Sequence, residues 1–174
     1  MKSKKMYAMI MIMMFTLLSC EKTGPPDKMQ LPEATTTGKN TFGCKIEGKV
    51  WRPYSKPFGS RIFDVYFENN SLQIQAWLTD GTCGEYVSVS VNNLTQEGSY
   101  QIPPPNFDGE MYRKCGTGID CRYKVLPEKS KIVITKLDRS QRIVSGTFEY
   151  TDMFNRCDTT DIIQITEGRF DFKY

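Results

Sequence analysis

From residue 41 onward, hydrophobic and polar positions alternate with a period of two. Phe42, Cys44 and Ile46 alternate with Gly43 and Lys45, and Phe63, Val65 and Phe67 with Asp64 and Tyr66. Leu72, Ile74, Ala76 and Leu78 alternate with Gln73, Gln75 and Trp77, and Val87, Val89 and Val91 with Ser88 and Ser90. Val144, Gly146, Phe148 and Tyr150 do the same against Ser145, Thr147 and Glu149. Such alternation marks strands that turn one face to a core. Asn69-Asn70 suits a two-residue turn with positive φ, and Glu47-Gly48 and Asp138-Arg139-Ser140-Gln141 are further turn signals. The pattern predicts an all-β domain, an antiparallel meander of about ten strands, either barrel-like or a two-sheet sandwich. Pro103 to Gly118, with three prolines and three glycines, reads as a long loop. Near the C-terminus Ile163 and Ile165 share one parity, and Phe170, Phe172 and Tyr174 the other. One extra residue near Gly168, a β-bulge, brings both sets to the core.

The N-terminal pattern is different. Lys2, Lys4 and Lys5 precede a thirteen-residue apolar run, Met6 to Leu18. That run is short for a bilayer span, which takes about 20 residues, and reads as a signal segment. It ends in Leu17-Leu18-Ser19-Cys20, which resembles a bacterial lipobox. The resemblance implies a diacylglycerol thioether on Cys20 and cleavage just before it. The expected organisation is a signal peptide over 1–19, a lipidated cysteine and flexible tether over 20–40, and the β domain over 41–174. Residues 21–40 hold three prolines, two glycines and a Thr-Thr-Thr run, which leave little to bury. A flexible coil of that length averages roughly 25 Å end to end.

Charge changes meaning once the signal is set aside. The chain carries 23 Lys+Arg and 20 Asp+Glu. Without its three signal lysines, twenty of each sign remain. The basic balance therefore belongs to the signal and argues for no nucleic-acid partner. The chain has no histidine, which removes Ser-His-Asp and Cys-His nucleophilic sites and histidine-ligated zinc. Carboxylates are plentiful, and a hydrolase would need two across a cleft. Most sit at polar strand positions or turns, where solvated charge is the ordinary outcome. Asn106-Phe107-Asp108-Gly109-Glu110 and Asp80-Gly81 offer oxygens for calcium, but neither follows an EF-hand pattern. No metal or cofactor is expected.

Three stretches, LPEATTTGKNTFGCKIEGKVW, KLDRSQRIVSGTFEYT and ITEGRFDFKY, resemble a family of Bacteroidetes envelope lipoproteins with an all-β domain of unknown function. The resemblance spans most of the chain after Cys20. It implies a bacterial cell envelope, with the outer membrane as the expected membrane, and implies no activity.

Trp77 is the one candidate for ligand binding. It falls on the polar side of its strand, where an aromatic ring can serve a sugar or an apolar ligand. A covering role at a barrel end explains it as well. The expected function is a non-enzymatic binding or accessory module, held on the membrane by lipid and facing an unknown envelope protein or glycan. The alternatives are a lipocalin-like carrier of a small apolar ligand and, further off, a carboxylate hydrolase.

An exported domain meets an oxidising compartment, so disulfides are expected. Cys44, Cys83, Cys115, Cys121 and Cys157 remain after Cys20, and five cannot all pair within one chain. A meander puts Cys83, Cys115 and Cys121 at one end and Cys157 at the other, which favours Cys83 bonding Cys115 or Cys121. Cys44 has core parity and is the candidate free thiol. Closure of first strand on last would instead bring Cys157 to Cys44.

Labelled palmitate fed to the producing cells is expected to appear in this protein and to vanish from Cys20→Ala. Label retained in that variant would refute the lipobox reading.

Overall fold

The computed structural model describes residues 30–55, 61–79, 83–102, 110–115 and 121–174. Cys20 and both calcium-like turns, apart from Glu110, lie outside these residues. The described chain runs through β1 (Thr41–Ile46), β2 (Lys49–Trp51), β3 (Tyr54–Ser55), β4 (Phe63–Glu68), β5 (Ser71–Thr79) and β6 (Cys83–Val91). It continues through β7 (Gly98–Tyr100), β8 (Glu110–Cys115), β9 (Cys121–Lys124), β10 (Ser130–Asp138), β11 (Ile143–Asn155) and β12 (Ile162–Lys173), with one 3-10 turn at Pro127–Lys129. No described helix is long and apolar enough to cross a membrane.

The turn chemistry forms as the residues demand. Glu47 and Gly48 have φ of 49° and 74°, and Asn69 and Asn70 have 50° and 61°. Left-handed backbone at both central residues matches strand twist in a two-residue hairpin. Asp138 Oδ1 accepts from Gln141 N at 2.9 Å and Ser140 Oγ at 2.7 Å, closing the β10–β11 turn.

All twelve strands belong to one curled sheet, a half-barrel, with the path β2-β1-β12-β11-β9-β8-β6-β5-β3. β4 flanks β5, and β7 and β10 extend from β11. β1 pairs with β12, so first strand meets last as in the barrel-like alternative. The meander reading needs three corrections. β7 pairs with β10, its β6 flank being given to β8. β3 lies parallel to β5. Glu110–Cys115 forms a strand inside the expected long loop, because Met111 is fully buried and anchors it to the core. The two ends of the path, β2 and β3, are joined only by Arg52 and Pro53. Three Cα steps span at most about 11 Å, so the curl brings the sheet's edges together there.

The concave side holds the core: Leu72, Ile74, Ala76, Val87, Val89, Met111, Ile132, Phe148 and Tyr150 are all essentially inaccessible. Phe42 packs on Phe148 at 5.3 Å, and Phe63 meets Phe172 edge-on at 5.0 Å. Tyr150 Oη donates to Ser88 O at 3.0 Å, tying β11 to β6 across the core. The bulge near Gly168 is present. Both neighbours of β12 shift register there, and Glu167 has φ 51°. It lets Ile165 and Phe170, of opposite parity, both be buried.

The convex face of β1, β12 and β11 is covered as well, by residues 32–39. Asp171, buried on that face, accepts five hydrogen bonds. Its donors are Thr35 Oγ1 (2.5 Å), the backbone N–H groups of Thr37 (3.1 Å), Gly38 (2.8 Å) and Lys39 (3.1 Å), and Ser145 Oγ (2.7 Å). Pro32 is buried over Gly43, where a Cβ would sit 2.6 Å from Pro32 Cδ. This corrects the expected tether. The Thr-Thr-Thr-Gly stretch is a strap bound to the domain, so the folded unit begins before residue 41. The reason is one carboxylate satisfying three backbone amides at once.

Burial works to raise the Asp171 pKa, but the hydrogen bonds from Thr35, Ser145, Lys39 and Gly38 outweigh it and hold the carboxyl below its usual range. The resulting stability is complete above the unfolded value near 4 and is lost as pH falls through the lower folded value. Asp171→Ala is expected to cost about 2–4 kcal/mol at pH 7, since the released amides regain water. The gap to wild type should narrow as the pH of a denaturant titration is lowered below about 4. A variant with unchanged stability at neutral pH would remove the strap from the energetics.

Candidate functional site

β5, β6, β8 and β9 lie side by side, so their outward residues form cross-strand rows. One row reads Trp77–Tyr86–Tyr112–Arg122 in direct register. Their inward neighbours Ala76, Val87 and Met111 are buried, which fixes the ring-bearing positions on the convex face. Tyr86 and Tyr112 stack with centroids 5.3 Å apart and planes 22° apart, and the Arg122 guanidinium lies 5.8 Å from the Tyr112 ring centre. Three half-buried rings in a row depart from the polar convex face usual for an antiparallel sheet.

A pocket of about 540 Å³ opens beside the row, lined by Trp77, Tyr86, Tyr112, Gly84, Asp64 and Glu85 among others. Gly84 keeps its floor low: a Cβ there would meet nothing within 4 Å. Its carboxylates already hold cations. Glu85 takes Arg113 Nε at 2.5 Å and Trp51 Nε1 at 2.8 Å. Arg61 Nε lies 2.6 Å from Asp64 Oδ1, yet that oxygen accepts no hydrogen bond, so the contact is electrostatic with the N–H turned aside. Trp77 Nε1 and Tyr112 Oη have no hydrogen-bond partner among the described residues.

Below the rings sits an ionic knot. Tyr86 Oη donates to Glu110 Oε2, while Glu110 Oε1 receives Lys124 Nζ at 2.7 Å and Arg122 Nη1 at 3.3 Å. Burial favours the neutral acid at Glu110, but Lys124, Tyr86 and Arg122 overcome it and keep its pKa low. Burial and the Glu110 carboxylate push the Tyr86 phenol well up, so it stays protonated. With its oxygens so engaged, Glu110 is a counter-ion and not a free calcium ligand. No group of three or more acidic or cysteine ligands converges among the described residues.

The structure thus places Trp77 where the alternation put it, and adds Tyr86 and Tyr112, which the sequence reading passed over. Register alone makes them neighbours of Trp77; Tyr86 was legible as the out-of-phase residue before Val87. Trp51 is buried and serves Glu85.

Cys83 and Cys157 are disulfide-bonded, and Cys44 is free and fully buried. Burial pushes the Cys44 thiol up, which makes it a poor nucleophile. Cys157 does not fall at the far end, as the meander had it. Arg156 N donates to Arg122 O, continuing the Asn155↔Tyr123 register. That register sets Cys157 against Cys121. Cys83 lies against Cys115, next to the pocket floor at Gly84. Closure of β1 on β12 leaves Cys44 unbonded all the same.

Comparison with protein families, with curated proteins and with solved structures returns no match for this chain.

Directly opposed cysteines on neighbouring strands have the Cα spacing a disulfide needs. Non-reducing peptide mapping is expected to return Cys83–Cys115 and Cys121–Cys157, with Cys44 alkylated only after unfolding. A Cys83–Cys157 peptide would contradict the register.

Proposed function

We propose that this protein is a lipid-anchored, non-enzymatic glycan-binding module of the bacterial cell envelope. Cys20 holds it on the outer membrane, and the pocket beside Trp77, Tyr86 and Tyr112 takes the ligand. One observation carries the reading: the pocket pairs aromatic carbon with an indole N–H and a phenol O–H that have no partner among the described residues. A sugar presents the complement, with C–H faces for the rings and hydroxyls for the polar tips. The lipobox and the resemblance to envelope lipoproteins support the compartment, where glycans are abundant.

The carrier alternative finds less support. An enclosed ligand needs interior space, and the concave side is filled by Phe42, Phe148, Tyr150, Leu72 and Ile74. The hydrolase alternative needs one carboxyl kept protonated and another free to act. Asp64 and Glu85 are each held against an arginine.

The test is a glycan panel against the purified mature lipoprotein. Trp77→Ala is expected to weaken the bound glycan at least about tenfold, the effect of losing an aromatic anchor. Gly84→Leu should block the pocket while leaving the melting temperature close to wild type, because open space lies above that residue. Binding unaffected by both substitutions, or absent across the panel, would sink the reading.

A further inference from the structure

Among the described residues, the ion pairs beside the aromatic row are not equally tight. Arg61 is matched by Asp64 and Arg113 by Glu85, one to one. Glu110 faces two cations at once. Lys124 holds its Oε1 at 2.7 Å and Tyr86 occupies Oε2, so Arg122 reaches it only at 3.3 Å. Of the two, Arg122 is the more loosely held. Arg122 remains 48% exposed at its side chain, with most of its five donors unused, and its plane lies over Tyr112 at the end of the row. A guanidinium fixed on an aromatic face is pre-organised for a planar anion.

Resting on the glycan reading above, we infer that the ligand is an acidic glycan chain. Its sugar rings lie along Trp77, Tyr86 and Tyr112, and a carboxylate on the chain is received by Arg122. Trp77 and Arg122 are three strand spacings apart, about 14 Å. A single sugar cannot touch both, so the ligand is an oligosaccharide that runs across the strands. A single nucleic-acid strand also joins anionic charge to rings. It also needs a run of free cations along its phosphates, and Arg61, Arg113 and Lys124 are each held against a carboxylate beside the rings.

The test titrates the mature lipoprotein with oligogalacturonate, alginate and hyaluronan oligomers, with fully methyl-esterified oligogalacturonate and xylan oligomers as neutral chains, and with oligo-dT. At least one acidic chain is expected to bind about tenfold or more tighter than every neutral chain, weakening as salt is raised. Arg122→Gln should erase that preference, and Arg122→Lys should restore part of it. Neutral chains bound as well as acidic ones, or a preference that survives Arg122→Gln, would overturn the inference and leave the glycan reading standing. Tighter binding of oligo-dT would overturn the choice of ligand, and no binding of any chain would overturn both.

Discussion

The curl of the sheet depends on a reciprocal contact between β11 and β12. Gly146 pairs with Phe170, and Phe148 pairs with Gly168. Each phenylalanine ring lies over the glycine opposite. A Cβ on Gly168 would stand 2.6 Å from Phe148 Cδ1, and one on Gly146 would stand 2.8 Å from Phe170 Cζ and 2.4 Å from Val133 O. No side chain fits in either place. The rings fill the space the glycines leave, and the register slips beside both: at Glu167 in β12 and between Ile134 and Lys136 in β10. Bulges and glycines are the ordinary means by which a sheet bends sharply. This bend lets Phe148 join Phe42 and Tyr150 in the core, and it carries β1 and β2 round toward β5 and β6. Trp51 on β2 then reaches Glu85 on β6, and Glu85 becomes part of the pocket wall.

The bend also creates a problem on the outside, which Asp171 resolves. On the convex side Asp171 of β12 stands between Thr41 of β1 and Ser145 of β11 in direct register. A buried aspartate on that face would be costly alone. With five donors it becomes the clasp that closes residues 32–39 over the bend. Four of those bonds come from the strap and one from Ser145, directly opposite Asp171 on β11. Sheet curvature and the N-terminal boundary of the domain are therefore one structural matter.

What the sequence disclosed follows from the range of the interactions involved. Period-two alternation, the paired left-handed turns and the bulge near Gly168 are local, and each is readable from a few consecutive residues. The strap is not. Thr35 and Asp171 are 136 positions apart, and a Pro-Gly-Thr stretch has linker composition whether or not a carboxylate awaits it. β8 escaped for a related reason, since its prolines and glycines lie around it and Met111 is one apolar anchor in a short strand. The topology corrections share a single origin. Alternation gives the facing of each strand but not its neighbour, and neighbours decide that Cys157 stands by Cys121 and that Trp77 stands by Tyr86.

The same limit explains why Trp77 by itself said little about function. A single aromatic on a polar face is an ordinary surface feature. Its meaning comes from the row. Trp77, Tyr86 and Tyr112 align because β5, β6 and β8 pair in uninterrupted register, without the bulges that mark β10, β11 and β12. The irregular half of the sheet makes the curl, and the regular half keeps a straight row of rings on its convex side. The two halves need each other. Without the curl the wall at Glu85 would lack Trp51, and without regular pairing the rings would fall out of line. Core packing does not account for the row, because the inward neighbours Ala76, Val87 and Met111 already fill that side. The indole N–H and phenol O–H that find no partner among the described residues lie on this row. The division of labour between the two halves is thus the physical reason to look for a ligand on the convex face and not inside the half-barrel.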